Sequence, residues 1–206
     1  MEPIDALNDR VKAVVLDLDG TLYDKRRLAA RLIASQLLFL PLLAAEQRTR
    51  KALRGQFFGS EAEFYTHFFK KMAEKRLFSP RLARWWYFRC YMPAMVRVLR
   101  RAYRPRAWVK AFIEACRRRK IAVAVYSDYG CVAEKLHALG LAPQLFDFVV
   151  AAPELGGLKP SAQAAAQVVE RLQVSTADCL FVGDRNDTDG ASARAVGAQF
   201  FLIEND

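Results

Sequence analysis

Val14-Val15-Leu16-Asp17-Leu18-Asp19-Gly20-Thr21-Leu22-Tyr23 is the stretch that decides what this chain folds into. An apolar run over residues 13–18 ends in two carboxylates one residue apart, followed by a Gly-Thr turn. Short apolar runs bounded by turn signals read as strands buried on both faces. The carboxyl end of such a strand is where open parallel sheets bind ligands. Side chains alternate along a strand, but the chain leaves the strand here, and a turn brings both acids toward one pocket. Two ionised carboxylates this close repel unless a cation lies between them or one keeps a proton. A divalent ion resolves the conflict, and an all-oxygen donor set suits Mg²⁺.

Working outward, four more runs share this texture, at residues 121–127, 146–151, 179–182 and 199–203. Helical patterns lie between them. Residues 107–119 carry apolar side chains at three- and four-residue spacing and end in the basic cluster 117–120, which suits a helix C-terminus. Residues 132–139 stop at Gly140, and residues 160–172 begin with Pro160 at a first turn. Strands alternating with helices predict an α/β fold, a doubly wound, Rossmann-like parallel sheet with helices on both sides.

From Tyr23 to Arg104 the rhythm breaks, and no strand is expected. Ser60-Glu61-Ala62-Glu63 has the form of a capping box, with a helix running to about Arg76. Ser79-Pro80 starts another, leading through an aromatic and basic run with a bend expected at Pro93. The expected organisation is a core of residues 1–22 and 105–206 interrupted by an all-helical insert, residues 23–104, with hinges near 22–25 and 103–106. The apolar stretch 28–45 is interrupted by Arg31, Gln36 and Pro41, so a buried helix is expected rather than a membrane span.

A second acidic cluster, Asp184, Asp187 and Asp189 in Gly-Asp-Arg-Asn-Asp-Thr-Asp-Gly, follows the fourth run. If that strand neighbours the first, Asp184 comes beside Asp17. For either cluster alone the alternative is an acidic turn or helix N-cap, and two such clusters at the same end of one sheet weigh against it. The second run ends in Ser127, whose hydroxyl and following N–H groups are the donors an oxyanion needs. Lys159, in Gly-Gly-Leu-Lys-Pro, adds a cation to offset the acids and a bound phosphate. The succession Asp-Leu-Asp-Gly-Thr, strand-end Ser, Lys-Pro and Gly-Asp-Arg-Asn-Asp-Thr-Asp resembles the four motifs of the haloacid dehalogenase (HAD) superfamily, over residues 11–22 and 106–206. The 23–104 insert falls where such proteins carry a helical cap of the first type.

The resemblance implies roles. Asp17 is the nucleophile that forms an aspartyl-phosphate, and Asp19 is the acid–base residue. Ser127 and Lys159 bind the phosphoryl group. Asp17, the Asp19 backbone carbonyl and Asp184 hold Mg²⁺, with Asp189, and Asp187 less firmly, holding metal-bound water. An acid at position 19 favours phosphate ester cleavage over carbon–halogen chemistry, because a leaving halide needs no proton. Asp128 departs from the family, which often has Asn there, and is expected to turn aside or to meet Lys159 or an arginine. Neither His67 nor His137 is assigned a role.

The net charge of +10 draws anions to the surface, and most of the excess lies in residues 25–120, interleaved with aromatics. The preferred reading is that the aromatics pack the insert's own core and the arginines are solvated. The competing reading is a basic, aromatic face for a large anion or an acidic membrane. No specific nucleic-acid binding is expected. Four widely spaced cysteines form no metal or disulfide pattern, which fits the cytoplasm. The expected function is Mg²⁺-dependent hydrolysis of a small phosphorylated metabolite. The alternatives are a phosphomutase, or a non-catalytic anion- or membrane-binding protein that retains the fold.

Overall fold

Alternation along the first strand explains why the sheet has a core on each side. In the computed structural model, which describes residues 3–204, strand β1 (Ala13–Leu16) sends Val14 and Leu16 into one apolar cluster and Ala13 and Val15 into another. Such a strand must be covered on both faces. Helices α6 (Trp108–Arg118) and α7 (Val132–Ala138) contribute to the first cluster. Helices α8 (Ala162–Leu172) and α9 (Ala191–Val196) contribute to the second.

The remaining strands are β2 (Ala122–Ser127), β3 (Phe148–Ala151), β4 (Cys179–Gly183) and β5 (Gln199–Leu202). They pair in parallel in the order β3-β2-β1-β4-β5. The chain first builds from β1 toward β3 and then returns to the other side of β1, so the order reverses between β1 and β4. A crevice opens at the carboxyl ends of strands at such a reversal. Register puts Leu16 opposite both Val125 and Val182, so Asp17, Ser127 and Asp184 emerge at one edge.

Between β1 and α6 run α1 (Leu28–Ser35), α2 (Leu40–Ala52), α3 (Glu61–Met72), α4 (Pro80–Trp86) and α5 (Met92–Ala102). Ser60 caps α3 by accepting the Glu63 N–H at 3.2 Å, as the capping-box pattern predicts. The helix stops at Met72, short of the expected Arg76. A π-helical turn, Tyr87–Tyr91, joins α4 to α5, so the irregularity expected at Pro93 precedes it. The proline then sits in the first turn of α5, directly after that irregularity. Helix α8 begins after Pro160, because Ser161 caps it by accepting the Ala164 N–H at 3.3 Å.

The single buried helix expected over 28–45 is not formed. Helices α1 and α2 meet at a bend of 84°, and no single helix among the described residues is long and apolar enough to cross a membrane. The aromatics divide the other way. Phe64, Phe68, Phe69, Trp86, Tyr87 and Tyr91 are buried together, as the packing reading of the insert requires. All four cysteines are unpaired.

Candidate active site

Asp17 is fixed by its backbone as the sheet ends: its N–H donates to the Val182 carbonyl at 2.9 Å, one residue beyond the β1–β4 ladder. The chain then turns at Gly20, whose φ of 109° favours glycine. A Cβ at that position would collide with the Asp184 carboxylate, so the turn packs directly on the second acidic cluster. Thr21 donates to Asp17 Oδ2 at 3.0 Å. Gly183 plays a similar part in β4, because a side chain there would overlap Asp189.

The two acidic motifs converge. Carboxylate oxygens of Asp17, Asp184 and Asp189 lie within 4.8 Å of one another. Like charges at that distance repel by roughly 3–4 kcal/mol per pair at an effective dielectric of about 20. Lys159 answers part of this, with Nζ 2.8 Å from both Asp17 Oδ1 and Asp189 Oδ1 and only 3% of its side chain exposed. Opposite charges hold the Lys159 ammonium well above its usual range, overcoming a burial that works against it. Asp189 remains poorly compensated. Burial, aided by Asp17, pushes its carboxyl up to about 7 despite Lys159.

A second cation supplies a direct test of whether a metal fits. The Lys25 ammonium pairs with Asp184 and reaches the Asp19 backbone carbonyl at 3.3 Å. Those are two of the three groups expected to hold Mg²⁺, and here they share one positive charge. Hard oxygen donors, a surplus of negative charge and a cation already drawn to them fit a divalent ion.

Asp19 lives in a different electrostatic setting. Lys135, fully buried on α7, pairs with Asp19 Oδ2, which also accepts from Ser127 Oγ at 2.9 Å. Tyr23 donates to Oδ1 at 2.7 Å. Burial works to raise this carboxyl, but Lys135 and the hydroxyls of Tyr23 and Ser127 outweigh it and hold it below the usual carboxylate range. Asp17 and Asp19 are therefore neighbours with different partners, the circumstance that separates the roles of paired carboxylates.

Asp128 resolves the expected conflict by turning aside. Its Oδ1 accepts the Lys159 backbone N–H at 2.8 Å, and its own carbonyl accepts from Arg50 at 2.7 Å. Burial raises the Asp128 carboxyl despite Lys159 and Arg50. Arg50 is itself held by Glu46 at 2.6 Å and lies 3.8 Å over the Tyr129 ring, which ties α2 to the loop after β2. Residues 55–58 add to this contact: Phe58 N–H donates to Gly156 O at 2.7 Å and Gly55 N–H to Lys159 O at 3.3 Å. The loop carrying Lys159 is thus clamped from both sides. Asp187 does not join the carboxylates. It is exposed and held by Arg54 at 2.5 Å and Arg185 at 2.9 Å.

Over these groups lies a cavity of about 390 Å³. Asp17, Asp19, Asp184 and Asp189 line its floor, and Leu28, Leu32, Tyr91 and Met95 from the inserted helices line its walls. The sequence model of the haloacid dehalogenase-like hydrolases matches residues 11–197. The chain belongs to that family. A curated relative, haloacid dehalogenase-like hydrolase domain-containing protein 3 of Bos taurus, is 33% identical over 95 residues, 46% of this chain and 38% of the relative. The match thus spans well under half of that protein's length. Among solved structures, a 2-haloacid dehalogenase from Pseudomonas syringae pv. Tomato superposes with a TM-score of 0.62 at 21% identity, covering 93% of this chain and 86% of that one. The HAD hydrolase YfnB from Bacillus subtilis, bound to magnesium, gives 0.62 at 17% identity over 95% and 89% of the two chains. At such identities the likeness speaks for the fold.

Several residues of this HAD-like hydrolase's site are given no role by the motif reading: Thr21, Tyr23, Lys25, Arg50 and Lys135. Lys135 left a signal. It occupies an inward position of a helix whose apolar residues Val132, Leu136 and Leu139 all face the core, so a lysine there needs a buried anion. Lys25 and Arg50 left none, since each lies among many basic residues.

Proposed function

We propose that this HAD-like hydrolase is a Mg²⁺-dependent phosphatase that cleaves a small phosphate monoester through an aspartyl-phosphate on Asp17. The observation that carries this reading is the pairing of Asp17 with Lys159 at 2.8 Å inside a cluster of three carboxylates, with Asp19 beside it on its own cation. Phosphoryl transfer relies on positioning and on stabilising charge at the transferred group. The carboxylates of Asp17 and Asp184 and the Asp19 carbonyl, supported by Asp189, would hold Mg²⁺, which would supply positive charge to the phosphoryl oxygens.

The chain's own residues do the rest. Lys159 faces Asp17 and meets the incoming phosphate, while Ser127 turns its hydroxyl from Asp19 to a phosphoryl oxygen. Asp19, ionised in the free protein, takes up the proton of a monoanionic ester, and the arriving negative charge raises its proton affinity. An Asp17 oxygen bonds to phosphorus as the ester P–O bond breaks, and Asp19 delivers the proton to the leaving oxygen. Water then attacks the aspartyl-phosphate, Asp19 takes its proton, and inorganic phosphate leaves with the Asp17 carboxylate restored. Dehalogenation needs no proton for its leaving halide, so the investment of Lys135, Tyr23 and Ser127 in Asp19 supports the ester.

Residues 23–104 serve as the cap that closes this site, moving about the crossings near 22–25 and 103–106, where Arg106 N–H bonds to the Leu22 carbonyl at 2.8 Å. The substrate is a small phosphorylated metabolite, and the four free thiols fit a cytoplasmic setting. Phosphate release across a panel of phosphorylated metabolites, with Mg²⁺ and with chelator, tests the proposal. Release that needs both Mg²⁺ and Asp17 supports it. Isomerised phosphate esters without free phosphate would instead indicate a mutase.

A further inference from the structure

Exposed apolar side chains gather at one place on the inserted helices, and the fold holds them there. Between Leu32 and Ala45 there is no ionisable side chain. In the turn between α1 and α2, Leu38 is 91% exposed and Leu37 63%, flanked by exposed Ile33 and Leu40. Trp85 of α4, half exposed, joins the same surface through Phe39, whose ring centre lies 6.4 Å from its own. The bend is not slack. Gln36 is buried at its apex, and its Oε1 accepts from Trp86 Nε1 at 2.9 Å. A buried polar pair thus fixes a turn that leaves leucines in water, a cost that a monomer incurs where a partner covers them.

Charge identifies the partner. Residues 75–113 hold eleven lysines and arginines and no acid. Arg81, Arg84 and Arg89, close to Trp85 in sequence, are exposed, and half-buried Arg31 and exposed Arg48 bound the apolar stretch in sequence. We infer that the 33–40 turn and the Trp85 face of α4 form a docking surface for an anionic lipid bilayer. The leucines enter the acyl boundary, Trp85 sits at the headgroup level and the arginines meet lipid phosphates. A second copy of the chain fits less well, because a two-fold interface would set this arginine belt against itself. The opposite side of α1 supplies Leu28 and Leu32 to the wall of the active-site cavity, so docking brings the mouth of that cavity close to the membrane surface. The inference is independent of which ester the enzyme cleaves.

The test is co-sedimentation of the full chain, at physiological salt, with phosphatidylcholine vesicles and with vesicles also containing phosphatidylglycerol. The wild type is expected on the anionic vesicles, with a blue shift of tryptophan emission that Trp85→Tyr removes. Leu38→Asp lowers partitioning by at least about tenfold, the scale of one leucine kept out of the apolar phase. Arg81→Ser and Arg89→Ser each lower it about fivefold, and high salt does the same. All four variants keep the wild-type melting temperature and phosphatase activity on soluble esters, because these side chains are exposed. Absence of binding overturns the inference, as does equal binding to neutral vesicles or indifference to Leu38→Asp. A dimer in size-exclusion chromatography that Leu38→Asp dissociates assigns the surface to a second copy and also overturns it.

Discussion

Lys135→Met removes the buried ammonium from Asp19 while keeping the length and apolar stem that pack within α7. The remaining carboxylate is still mostly enclosed, with 12% of its side chain exposed, and keeps the hydroxyls of Tyr23 and Ser127. Breaking a buried ion pair from one side costs about 3–5 kcal/mol, and the two surviving donors set the lower end, about 3 kcal/mol at neutral pH. The cost is pH-dependent, and its sign is fixed. In the wild type the lowered folded pKa of Asp19 contributes stability that is present above the unfolded value of about 3.9 and lost as pH falls through the folded one. In the variant, burial dominates and the folded pKa rises above 3.9, so Asp19 destabilises the fold as pH increases. The gap between the two proteins therefore widens from about pH 4 toward neutrality. Urea unfolding at about pH 4.5 and pH 7.5 measures it. Adding Asp19→Asn to Lys135→Met should recover about 2 kcal/mol of the loss, since no buried charge is then left unpaired. An equal deficit at both pH values, or additive single variants, would refute the electrostatic account of Asp19.

Mg²⁺ affinity, measured by calorimetry, should rise about tenfold per pH unit below about 7 and level off above it. A proton on Asp189, whose carboxyl is raised to about 7, competes with the ion, and Asp189→Asn should flatten the slope. Gly183→Ala forces a methyl against Asp189 and should cost about 2 kcal/mol in thermal unfolding while weakening Mg²⁺ binding. Asp128→Asn keeps the acceptor for the Lys159 N–H and removes a buried acid, so turnover should stay within about threefold and stability should not fall.

How much of this was legible beforehand follows from physical range. The strands are short apolar runs whose period and bounding turns are local, and all five appear within two residues of their expected starts and ends, with β1 ending two short and β3 starting two late. The convergence of Asp17 with Asp184 and Asp189 followed from placing β1 beside β4, a matter of sheet order that the motifs implied. Other features depended on contacts made far along the chain. The bend at Gln36 is held by the Gln36–Trp86 bond, made across 50 residues. Asp187 resembled its neighbours in sequence, but two arginines, one of them from the inserted helices, draw it outward. The same limit hid Lys25 and Arg50, whose carboxylate and carbonyl partners are named only once the chain is folded.

Trapping the phosphoryl group is the most direct check on Asp17. The Asp19→Asn variant, mixed with Mg²⁺ and an aryl phosphate, whose good leaving group needs no proton, should acquire one phosphoryl group, and peptide mapping should find it on Asp17. An unmodified chain, or a phosphoryl group on any other residue, would contradict the account.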